Sequence, residues 1–254
     1  MRFLSLLIIA AINFALIVNH DTMAADNFAI EFDGDNQKRV QAPHSNSVNI
    51  DGHLTMEAWV FPTEATDGGI VVNKENSWEF GVKQNILKAA IWAAVWAWHG
   101  GGEVPNNKWT FVAVTFDNKE YHTFVNGKYE ASRANKGKIA LTDMGFHVGW
   151  RPLHGSEPFI GIIDEVRVSN VVRYQKNKNF DVPDREFMPD DDTVVLYHFN
   201  EGKGKVTEDA SEFKNDGTLE GGAKFVKSEA PIKPAPVEPR GKLTTMWAQV
   251  RADP

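Results

Sequence analysis

From Phe28 onward the chain alternates apolar and polar residues in short runs, each closed by turn-forming residues: FAIEF before DGDNQ, RVQA before PHSNS, LTMEAWVF before PTEATDGG, IVVNK before ENS, then WEFGV. A side-chain period of two belongs to strands, because successive Cβ atoms on a pleated backbone point to opposite sides. The pattern resumes in WTFVAVTFD, YHTFVNG, GFHVGW, FIGIIDEVRVSN, VVLYHFN and GAKFV, with no amphipathic helix interrupting the series. Many short strands at this spacing predict an all-β fold, an antiparallel two-sheet sandwich, rather than alternating α/β. In TMEAWVF, Met56, Ala58 and Val60 share one side while Glu57 and Trp59 share the other. In WTFVAVTFD, Trp109, Phe111, Ala113 and Thr115 oppose Thr110, Val112, Val114 and Phe116. Both faces of the central strands are thus largely apolar, which suits a sandwich whose outer face is also covered or used.

The run KAAIWAAVWAWHGGG places three of the eight tryptophans within seven residues. Alternate counting puts Trp92, Ala94, Trp96 and Trp98 on one side of a strand that Gly100, Gly101 and Gly102 then end. Two uses of that stripe stay open: packing between the sheets, or a platform on which sugar rings stack. His99 and Glu103 are the polar partners of the platform reading. Trp98, nearest the glycines, is expected to be more exposed than Trp92, which is expected to behave as core.

Residues 1–25 read as a secretory signal peptide: Arg2 precedes an apolar run to Val18, and Ala24 and Ala25 suit cleavage. The run is short for a membrane span, and no membrane span is expected once it is removed. With no cysteine the mature chain has no disulfides, so stability must come from its core, with or without a metal. Net charge is −7 with basic residues scattered, which argues against nucleic acid as a partner. Residues 26–228 are expected to form one domain. Residues 229–241, with several prolines, read as an extended linker, and residues 242–254 as a short, possible helix with Leu243, Met246, Trp247 and Val250 at helical spacing.

The blocks FDGDNQKRVQAPHS, LTMEAWVFP, IVVNKENSWEFGV, VPNNKWTFVAVTFD, FVNGK, FHVGW, FIGIIDEVRVSN and LYHFNEGKG followed by DASEFKNDGTL, in that order, resemble the laminin-G-like jelly rolls of the concanavalin A-like lectin/glucanase superfamily. The resemblance covers about residues 28 to 228. It implies a jelly roll of two curved sheets with paired terminal strands, but it fixes no chemistry, because the fold hosts lectins, adhesion modules and glycosidases alike.

Glucanases of this superfamily carry a Glu-x-Asp-x-Glu strand, and this sequence has none. Adjacent Asp164 and Glu165 in IIDEV point to opposite faces of a strand, so no catalytic residues and no enzyme are expected. The resemblance implies a structural calcium near the termini, for which Asp33, Asp35, Asp164, Glu165 and Asp209 are the candidate ligands; Asp-Gly turns without any ion are the competing reading. Candidate ligand-binding residues are Trp92, Trp96, Trp98, His99, Glu103, Trp59 and Glu57, while Arg167 is expected to pair with Asp164 or Glu165. The expected function is a secreted binding module (extracellular, cell-surface or periplasmic) for a glycan or glycoconjugate. The alternative is an adhesion or assembly module that binds an extracellular protein, and a glycoside hydrolase is a remote third.

Overall fold

The computed structural model describes residues 27–153, 155 and 157–234. The expected signal segment, the C-terminal part of the linker and the 242–254 tail lie outside the described residues. The strands are β1 (Phe28–Asp33), β2 (Arg39–Ala42), β3 (Leu54–Pro62), β4 (Ile70–Lys74), β5 (Trp78–Lys83), β6 (Ile86–Ile91), β7 (His99–Glu103) and β8 (Thr110–Phe116). They continue with β9 (Glu120–Val125), β10 (Lys128–Ala134), β11 (Phe146–Val148), β12 (Ile160–Ser169), β13 (Thr193–Tyr197), β14 (Val206–Thr207), β15 (Gly217–Glu220) and β16 (Lys224–Lys227). Each alternating run of the sequence falls on a strand. Two hairpin-completing strands, β10 and β15, carry too weak an alternation to stand out.

Two eight-stranded antiparallel sheets result. The first runs β10-β9-β8-β3-β12-β1-β16, with β13 also on β12; the second runs β14-β15-β2-β11-β4-β5-β6-β7. The first strand, β1, lies between β12 and the late strand β16, as the jelly-roll resemblance implies. The β9–β10 turn is Asn126-Gly127, both at positive φ, which a two-residue hairpin with matching strand twist requires.

Between the sheets, Met56, Ala58 and Val60 of β3 and Val112, Val114 and Phe116 of β8 join Val72, Trp78, Phe80 and Phe146 of the second sheet in one core. The opposite face of the first sheet is also apolar. Trp59, Phe111, Ala113 and Phe124 form a second cluster there with Phe187, Leu196 and Ala230. The connection from Asn170 to Asp192, a strap between β12 and β13, covers this face. Its Tyr174 and Phe180 rings stack 3.7 Å apart, and Phe180 and Phe187 both meet Phe111 edge-on.

Under the strap sits Glu57, with 0% of its surface exposed. Its carboxylate accepts from Arg167 Nε at 2.7 Å and from the Tyr174 hydroxyl at 2.5 Å, and the Arg167 guanidinium lies 3.8 Å from the Phe187 ring. Arg167 therefore pairs with Glu57, its cross-strand neighbour on β3, and not with Asp164 or Glu165. The cause is a bulge in the β12–β3 pairing: Asp164 lies opposite Trp59 and Arg167 opposite Glu57, so β12 carries one extra residue between them, with Glu165 at φ 50°.

The start of the expected linker does not stand away from the domain. Ala230 and Ile232 pack on the strap-side cluster, and Lys233 exchanges backbone hydrogen bonds with Asp184 and Glu186 of the strap.

Removing one member of a buried ion pair strands the other. Arg167→Met is expected to cost about 3–5 kcal/mol in urea unfolding, and the double change Glu57→Leu with Arg167→Met less than that, because no buried charge is then left unpaired.

Candidate functional site

The strap leaves the outer face of the second sheet as the remaining broad surface of the sandwich. Alternation decides what it carries. Val40, Val72, Phe80 and Val148 point into the core, so Gln41, Asn73, Glu79 and His147 point out. Strand register aligns them in one row: Thr218 opposite Gln41, Gln41 opposite His147, His147 opposite Asn73, Asn73 opposite Glu79, and Glu79 opposite Ala90.

A loop from Gly149 to Phe159 brings Arg151 over the middle of this row. Arg151 Nη1 donates to Glu79 Oε1 at 2.9 Å and to Glu157 Oε2 at 3.4 Å, while Asn73 Nδ2 donates to Glu79 Oε2 at 2.7 Å. Glu157 in turn accepts from Lys83. Burial pushes the Glu79 carboxyl up to about 7, with Glu75 and Glu157 adding to the rise and Arg151 and Asn73 opposing it. Burial, then Arg39 and Lys74, pushes His147 down to about 4, so its imidazole is neutral. Asn73 Oδ1, His147 Nδ1 and Trp150 Nε1 are buried on this side without a partner among the described residues.

Two tryptophans on this side carry cations. Trp150 packs edge-on to His147 and carries the Arg39 guanidinium 4.7 Å from its ring; Trp98 carries Lys83 Nζ at 4.2 Å. Trp98 belongs to a loop and not to the long strand expected from alternate counting. Strand β6 stops at Ile91, residues 92–98 reverse the chain, and the glycines form part of β7, which pairs back on β6. The reversal is made by a side chain. Asn135 Nδ2 donates to the Ile91 carbonyl at 2.6 Å and Asn135 Oδ1 accepts from the Ala94 and Val95 amides at 3.0 and 3.1 Å, replacing a strand neighbour. The Tyr121 hydroxyl holds the Ala97 carbonyl, and Trp92 exchanges backbone bonds with Ser77 and Ala140.

The exposure order expected for the tryptophans is reversed. Trp92 is 44% exposed and outside the core, with its ring 5.7 Å from that of Trp96, while Trp96 and Trp98 are half-buried. The glycines have a packing role: a Cβ on Gly101 would lie 2.9 Å from Ala131 Cβ, and one on Gly102 2.5 Å from Val125 Cγ2, where β7 closes on the first sheet.

The other expected binding residues are not gathered here. Trp59 and Glu57 are buried beneath the strap. His99 turns toward Tyr121 at the core edge, and Glu103 lies opposite Ile86 at the far end of the hairpin. Nor does the structure bring the five expected calcium ligands together. Asp33 and Asp35 accept backbone amides and Lys38 within an exposed turn. Asp33 is in register with Ile160, four residues and about 13 Å along β12 from Asp164. Asp164 accepts from Asn27 and Ser228, Glu165 holds His198 and the Phe187 amide, and Asp209 takes the amides of Leu196, Ser211 and Asn215. Each acid already closes a turn or a buried junction.

Sequence reasoning missed the polar row. Its members were visible as the polar positions of RVQA, IVVNK, WEFGV and GFHVGW, but their alignment depends on register, and Arg151 arrives from a loop with no periodic signal.

A family model described as concanavalin A-like lectin/glucanases superfamily matches residues 33–177. No curated protein matches the chain. Among solved structures, a protein from Bacteroides ovatus ATCC 8483 described as a "putative carbohydrate binding protein" superposes with TM-score 0.63 at 20% identity, over 82% of this chain and 62% of its own. The chain thus spans less than two thirds of that protein. The Ruminococcus gnavus IT-sialidase CBM40 bound to alpha2,3 sialyllactose gives 0.47 at 16% identity, over 57% of this chain and 91% of its own. The SAP-like pentraxin of Limulus polyphemus gives 0.45 at 14% identity, over 59% and 79%.

The raised Glu79 value has a defined consequence for stability. Between its ordinary 4.5 and about 7 the folded protein holds a proton that the unfolded chain has released, so this contribution favours folding below 4.5 and is lost as pH rises through 7. Glu79→Gln removes it. The stability of the variant relative to the parent is expected to rise across that window by roughly 3 kcal/mol, read from urea unfolding at a series of pH values.

Proposed function

The chain belongs to the concanavalin A-like lectin/glucanases superfamily, and on that footing we propose that it is a secreted, non-catalytic module that binds carbohydrate. The observation that carries this reading is the Trp92–Trp98 loop: three indoles at the rim of the polar outer face, two of them in contact, on a backbone fixed by a buried asparagine. An indole face meets the C–H surface of a pyranose with little polar desolvation, and the neighbouring donors and acceptors would satisfy the hydroxyls. Fixing the loop beforehand lowers the ordering cost of binding. Exposed Val95 beside exposed Trp92 makes a patch of the kind that usually has a partner.

The description of the Bacteroides ovatus neighbour agrees with carbohydrate binding. Secretion rests on the signal-like residues 1–25 and the cysteine-free composition of a chain that needs no reducing compartment. The non-catalytic reading is supported by how the acids are used: Glu57 is committed to Arg167 and Tyr174, and Glu79 and Glu157 both bond Arg151 instead of facing an open cleft.

Screening the chain on a glycan array and titrating the best binder tests the proposal. Trp92→Ala, Trp96→Ala and Trp98→Ala are each expected to leave the melting temperature near that of the parent and to weaken binding by about 1 kcal/mol or more wherever a ring stacks. Absence of any glycan signal, with an extracellular protein captured through the same tryptophans, would replace carbohydrate by protein as the ligand.

A further inference from the structure

Away from the polar face, at the β8–β9 turn, Asp117, Glu120 and His122 each offer a ligand atom, all within 4.8 Å of one another. Two carboxylates on a turn mean little alone. The imidazole is the informative member: His122 is 2% exposed, its Nδ1 is fully buried without a partner, and neither ring nitrogen makes a hydrogen bond among the described residues. A neutral imidazole carries one donor and one acceptor, and burying Nδ1 unmet is costly unless something else takes it.

We propose that Asp117, Glu120 and His122 form a transition-metal site, with zinc as the ion that suits it. One imidazole nitrogen with two carboxylate oxygens is a zinc donor set with a position left for water or ligand, whereas calcium needs six to eight oxygens. The scaffold is fixed in advance. Asp117 Oδ1 accepts the amides of Lys119 and Glu120, at 2.9 and 2.8 Å, which orients the carboxylate and leaves Oδ2 available. His122 lies on β9, whose register holds it opposite Thr115, with the Tyr129 ring on one side at 6.1 Å. Tetrahedral zinc at its usual bond lengths sets ligand atoms about 3.4 Å apart, so the three side chains would close by roughly an ångström.

The competitor is Lys176 of the strap, whose Nζ spans both oxygens of Glu120 at 2.8 and 2.7 Å. Its side chain is 44% exposed and free to swing into solvent, so ion and ammonium would exchange on Glu120. Metal binding would thereby release one strap contact on the outer face of the first sheet.

The test uses the full chain without an affinity tag, titrated with zinc chloride by calorimetry and followed by thermal melting. One zinc per chain and a raised melting temperature are expected. His122→Gln should weaken binding by about tenfold or more, Glu120→Gln should do the same from a half-buried position outside the core, and Lys176→Met should tighten it. An unchanged melting temperature in zinc would overturn the site, as would zinc binding of parental strength in both His122→Gln and Glu120→Gln.

Discussion

A sheet that is apolar on both faces cannot meet water on either, and the rest of this structure follows from that constraint. Strands β3 and β8 bury one face against the second sheet and the other beneath the strap. Covering the outer face brings Arg167 and Tyr174 onto Glu57, so a carboxylate is carried into the interior together with its partners. It also makes the connection from β12 to β13 a structural layer, and the first residues beyond β16 extend that layer through Asp184 and Glu186. That leaves the outer face of the second sheet as the broad surface open to the ligand of the proposed function.

The second sheet answers with polarity. Its inward residues complete the common core, while its outward ones form a transverse row whose centre is neutralised by Arg151 and beside which Trp150 and Trp98 each bear a cation. The aromatic loop at one end owes its shape to Asn135, a side chain from beyond β10 that performs the hydrogen bonding of a missing strand. An exposed aromatic surface on a fixed backbone, beside a polar row held in place by Arg151, has the character of a binding face, with most orientation cost met on folding.

Much of the fold was legible because a period of two reports faces directly. The split of Met56, Ala58 and Val60 from Glu57 and Trp59 survives intact in the structure, as does the Asn126-Gly127 turn. What failed was inference across a reversal. Alternation in KAAIWAAVWAWHGGG is genuine up to Ile91 and meaningless beyond it, because the turn is dictated by Asn135, more than forty residues away in sequence. The glycines looked like a stop and are a strand, since the approach of β7 to Val125 and Ala131 is visible only in three dimensions. Trp59 was a candidate ligand-binding residue because nothing in the 170–192 sequence announces that it lies over β3. The acids chosen for calcium were chosen by type, and each is used locally.

The proposed placement of ligand on the second sheet is tested most directly by the indole Nε1–H resonances of the tryptophans, assigned by mutation and followed while the best-binding glycan from the array is added. Trp92, Trp96 and Trp98 should shift together with a common dissociation constant, while Trp59 and Trp78, enclosed under the strap and between the sheets, should stay in place. Shifts confined to Trp59 and Trp109, with the 92–98 loop unmoved, would put the ligand on the strap side and contradict the division of labour between the two sheets.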